Sequence, residues 1–116
     1  MLSQILAVAL GGAIGATARF LNSKLFESIY GAPQIWATYF VNVLGCFLMG
    51  YLYHAVQSSH HKSFLMIGLL GSVTTWSTFS MESIMLINNG ELTKAAFYFI
   101  LTSISCLSAF YIGYKL

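Results

Sequence analysis

Four apolar stretches divide the chain. They run over about residues 4–26, 36–57, 63–87 and 92–115. Each is long enough to cross a bilayer, since a spanning helix needs about 20 mostly apolar residues. The stretches are separated by polar punctuation. Pro33 precedes the second, the tract Ser58-Ser59-His60-His61-Lys62 reads as a loop, and Asn88-Asn89-Gly90-Glu91 reads as a turn. The first stretch has no positive leading region and three more follow it, so it reads as a retained span rather than a signal peptide. The expectation is an all-α integral membrane protein, with residues 1–116 forming a single four-helix domain.

Composition narrows this further. The chain is 58% hydrophobic and 7% charged, whereas soluble domains carry about 25% charged residues. A net charge of +2 without a basic run gives no reason to expect nucleic acid. Cys46 and Cys106 both fall in apolar stretches and show no metal-ligand spacing. They read as small apolar side chains.

The basic residues bias the orientation weakly. Four spans put both termini on one side with Lys62 and Lys115, leaving Arg19, Lys24 and Lys94 toward the other. A balance this close predicts insertion in both orientations and antiparallel pairing of the chain with itself.

The third stretch holds a Gly/Ser/Thr-rich patch, GLLGSVTTWSTFS at 68–80. Backbone polar groups in hydrocarbon must be satisfied internally, so loosened backbone at membrane depth belongs where it is buried in protein or lines a polar path. Other polar groups lie at similar depth. Arg19 follows Gly11-Gly12 and Gly15-Ala16, which permit close helix approach. It reads either as a snorkelling side chain or as a permanent positive charge at the mouth of an anion path. Asn42 is either helix–helix glue or a two-proton donor to an anion. Glu82 is a functional candidate by its depth, with Arg19 or a hydroxyl such as Thr38 as the structural partner. Trp76 and Phe79, flanking Ser77 and Thr78, share a helical face and can turn positive ring edges toward an anion. Tyr98, Thr102, Ser105 and Cys106 make a polar stripe on the fourth stretch. The histidines read as solvated. No nucleophile–base pair or phosphate loop suggests an enzyme.

Three segments, GGAIGATARF, PQIWATYFVN and GLLGSVTTWSTFSME, resemble the signatures of the Fluc (CrcB-type) fluoride channels, in the same order and four-span frame. The resemblance implies a fluoride-selective channel that passively exports fluoride across the plasma membrane. It implies an antiparallel dual-topology homodimer in lipid, with the third helix broken near its middle and two pores built from both subunits. Asn42 matches the pore asparagine, Trp76 and Phe79 the paired pore phenylalanines, and Arg19 the vestibule arginine. Thr38 and Glu82 match a polar pair on the path, and Tyr98 and Thr102 resemble the fourth-helix polar track. Apart from the resemblance, the hydroxyls of Ser77 and Thr78 are candidate donors to replace the water shell of fluoride. A structural sodium ion is implied at the dimer centre, on the backbone carbonyls of Gly71 and Thr74. The chain departs from the family at Trp76 (usually Phe), Ala37 and Ser72 (both usually Gly). The Trp76 change leaves open a half-active partner in a heterodimer of unlike subunits. A four-helix drug/proton antiporter is the other alternative, but its class needs a carboxylate central in the first span, and none precedes Glu27.

Overall fold

A computed structural model describes residues 1–31 and 34–116, and the side chain of Tyr30 is outside the description. Pro33, the expected start of the second motif, therefore lies outside the described residues together with Ala32. The elements are α1 (Leu2–Tyr30), α2 (Gln34–Ala55), α3 (Ser59–His61), a π-helix π1 (Lys62–Leu70), α4 (Gly71–Val73), α5 (Trp76–Asn88) and α6 (Leu92–Lys115). Among the described residues, four helical stretches are long and apolar enough to span a membrane: Leu2–Ile29, Gln34–Ala55, Ser59–Asn88 and Leu92–Lys115.

The ends follow local chemistry. The helix α1 continues past Phe26 and stops at Gly31, whose left-handed φ of 54° lets its N–H cap the Glu27 carbonyl at 3.2 Å. Gly90, with φ 78°, turns the chain between α5 and α6. The polar tract expected as a loop is instead helical from Ser59 onward. Only Ser58, at φ −66° and ψ 134°, is extended. The helix starts before the apolar run does because polar residues suit an exposed helix N-terminus, and the Ser63 hydroxyl bonds back to the Ser59 carbonyl at 2.9 Å.

Two backbone-close seams hold the helices. A Cβ on Gly50 would strike the Phe110 carbonyl of α6, and one on Gly113 would strike the Phe47 carbonyl of α2. The reciprocal fit draws α2 and α6 into the most extensive contact of the fold. The second seam joins α1 to π1 and α4: Gly11 lies against the Phe64 carbonyl, Gly68 against the Val8 carbonyl, and Gly15 against Leu69 and Ser72. Small residues serve this purpose in membranes because lipid removes the hydrophobic drive and leaves close packing to hold helices together. Gly12 faces open space, so the double-glycine pattern of α1 is only half engaged. Every span carries exposed large apolar side chains on its outward face, among them Leu10, Phe40, Ile84 and Leu107, as a lipid-facing surface requires.

Candidate functional site: an extended segment and two cavities

Thr74 (φ −78°, ψ 152°) and Thr75 (φ −151°, ψ 118°) are extended and separate α4 from α5. In a continuous helix the Gly71 and Ser72 carbonyls would accept from the N–H groups of Thr75 and Trp76. Here the Thr75 N–H donates to Asn42 Oδ1 at 2.8 Å, while Asn42 Nδ2 donates to the Thr75 carbonyl at 3.2 Å. One side-chain amide thus satisfies both backbone groups of an extended residue. Arg19 Nε donates to the Ser72 carbonyl at 3.1 Å, placing a cation at the C-terminal end of α4. Thr75 Oγ1 then caps α5 by accepting from the Thr78 N–H at 3.1 Å.

Beside this segment lies a cavity of about 400 Å³ lined by Asn42, Cys46, Thr75, Trp76, Phe79 and Thr102, among others. The Thr102 residue is 6% exposed, and among the described residues its hydroxyl is the one buried side-chain polar atom without a hydrogen-bond partner. Trp76 and Phe79 touch, with centroids 5.0 Å apart, but their surroundings differ: Trp76 is 69% exposed and Phe79 only 2%.

A second cavity, of about 380 Å³, is lined by Thr38, Thr78 and Glu82 with Ser23, Met81 and Asn89, among others. Glu82 is buried and accepts from the Thr38 hydroxyl at 2.5 Å and from Tyr98 at 3.1 Å. Its partners are therefore hydroxyls, and Arg19 is bonded elsewhere. Phe79 packs on Tyr98 at 5.0 Å between centroids, so the contact run Phe79–Tyr98–Glu82 reaches from the lining of one cavity to that of the other.

The expected residues thus gather into two groups, Asn42, Trp76, Phe79 and Thr102 in one and Thr38, Thr78 and Glu82 in the other. Tyr98 lies between them, Ser77 is exposed beside Thr75, and Arg19 stands apart on Ser72. Gly71 opens α4 and Thr74 follows its last residue. Thr75 was absent from the sequence-derived residues. Its signal was its place as a hydroxyl residue just ahead of a helical run, an N-cap position.

The family model described as CrcB-like protein, Camphor Resistance (CrcB), matches residues 6–114. The chain belongs to this family. Similar proteins named fluoride-specific ion channel FluC occur in Shewanella amazonensis (41% identical), Shewanella oneidensis and Shewanella baltica (both 42%). Each match covers 99% of this chain and 96% of the relative. The family is one of ion channels and not of enzymes. Its four apolar helices make this chain a multi-pass membrane protein, and the antiporter alternative is left without support.

Proposed function

We propose that the chain is a fluoride-selective channel, exporting fluoride passively across the plasma membrane as an antiparallel, dual-topology homodimer. The observation that carries the reading is the buried, unpartnered Thr102 hydroxyl in the Asn42–Trp76–Phe79 cavity. A buried hydroxyl without a partner costs free energy, and a small anion would accept its proton. The amide of Asn42 has two N–H groups, and its bond to Thr75 engages one of them. Ring edges of Trp76 and Phe79 add partial positive charge.

Fluoride is small and strongly hydrated, so its water shell must be replaced by donors along the path. Neutral donors suit conduction, because each stop has to be favourable enough to enter and weak enough to leave. On this reading the ion passes from the Thr102–Asn42 group, along Phe79 and Tyr98, to the hydroxyl of Thr78 beside the Thr38–Glu82 pair. A few closely placed donors reject the larger chloride.

A second copy suits the exposure of Trp76 and Ser77, which stand beside the cavity and would be covered by it. The small balance of basic residues suits both orientations. We read Thr74–Thr75 as the break in the third span. The Gly71 carbonyl, deprived of its helical donor Thr75, and the Thr74 carbonyl in extended backbone are hard oxygen donors of the type that suits sodium. The ion would supply positive charge that compensates these carbonyls and joins the two copies.

The test is release of fluoride from liposomes holding the purified protein alone, with chloride as control. Fast fluoride release with little chloride release is expected. Comparable release of both anions contradicts selectivity. No release from well-folded protein favours the heterodimer reading, in which Trp76 marks a half-active subunit.

A further inference from the structure

Cys46 and Cys106 lie in separate stretches of sequence and read as inert apolar side chains there. The fold brings them together. Cys46 follows Asn42 by one turn of α2, Cys106 follows Thr102 by one turn of α6, and both line the 400 Å³ cavity. The Gly50–Phe110 backbone contact lies one turn beyond each of them, so the two cysteines stand level with each other across the α2–α6 pair. Both are free and half-buried. The α2–α6 seam at Gly50 and Gly113 fixes the two helix backbones against each other, so the thiols are held as a pair.

We propose that Cys46 and Cys106 form a two-coordinate site for a soft divalent cation, with the mercuric ion as its type. Thiolates are soft ligands and select soft metals. Zinc and its analogues need four ligands, and among the described residues no group of three His, Cys, Asp or Glu side chains comes together anywhere. Two sulfurs alone suit an ion that takes linear, two-coordinate geometry. Charge selects the divalent ion over silver or cuprous ions. Two thiolates on a monovalent ion leave a net negative charge at membrane depth, which is costly. Two thiolates on a divalent ion are neutral. Neutral mercuric chloride would react as HgCl2 with two thiols: two mercury–sulfur bonds form, two mercury–chlorine bonds break, and two protons and two chloride ions leave to water. No oxidant or reductant is involved.

The adduct would staple α2 to α6 inside the cavity. The site stands on geometry independent of the proposed conduction, and its test reads no flux. Mercuric chloride is titrated into the purified full-length protein in detergent, and the remaining thiols are counted with a chromogenic disulfide reagent. Two thiols should disappear for each mercury bound. Cys46→Ser and Cys106→Ser should each hold mercury about 100-fold more weakly, because closing the second bond within one site raises affinity by about that factor or more. Loss of one thiol per mercury overturns the proposal, as does wild-type affinity in either variant. The thiol count on the unaltered protein keeps the test decisive if a variant fails to fold.

Discussion

The side chain of Asn42 occupies both backbone hydrogen-bonding groups of Thr75, accepting from its N–H at 2.8 Å and donating to its carbonyl at 3.2 Å. An amide in this pose imitates a neighbouring strand for a single residue. It allows an extended segment within an otherwise helical stretch without stranded backbone groups, each of which would cost about 1–3 kcal/mol.

Asn42→Ala should therefore destabilise the protein by about 2–5 kcal/mol, since two backbone groups lose their partner at once. Thermal unfolding in detergent measures it. A stability loss below 1 kcal/mol would show that water or another group already serves Thr75.

Thr102→Val separates conduction from folding. Valine has nearly the same shape and leaves no hydrogen bond unmade, because the hydroxyl has no protein partner. Stability should hold or rise by about 1 kcal/mol, while fluoride release from liposomes falls. Undiminished release from the variant would remove Thr102 from the path.

The aromatic pair should split in its response. Phe79 is 2% exposed, and Phe79→Ala should cost about 3–5 kcal/mol through the cavity it leaves. Trp76 is 69% exposed, so Trp76→Phe should leave monomer stability nearly unchanged. Its fluoride release, compared with that of the unaltered protein, reports whether the indole slows the ion.

Glu82 couples two hydroxyls that belong to different helices. Thr38→Val and Tyr98→Phe each remove one donor to the same carboxylate. Residues sharing one network are coupled by about 0.5–3 kcal/mol. A double-mutant cycle on unfolding free energy should show this coupling, and strict additivity would refute the shared site.

The parts of this molecule that were legible in sequence follow from composition and length. Apolar runs separated by Asn89-Gly90 or a polar tract announce four spans, and the motifs around Asn42 and Trp76 announce the family. Less was legible where a role depends on a partner distant in sequence. Arg19 could equally have paired with Glu82, and only three dimensions show it bonded to the Ser72 carbonyl. Thr75 looked like one more hydroxyl in a soft patch, because nothing in its neighbours reveals the amide that meets it from α2. Polar residues 59–62 resembled a loop because hydropathy measures where a chain prefers lipid, and a helix can start before that boundary.

The glycine seams have a consequence for which changes this protein can accept. At Gly50, Gly113, Gly11 and Gly68 any side chain would drive one backbone into another, so an exhaustive library of single replacements should find these positions closed even to alanine. Gly12, with nothing within 4 Å, should be open to alanine in an isolated chain. Replacement there that is harmless to folding but depletes assembled protein would trace, from survival counts alone, the outline of whatever surface lies against α1.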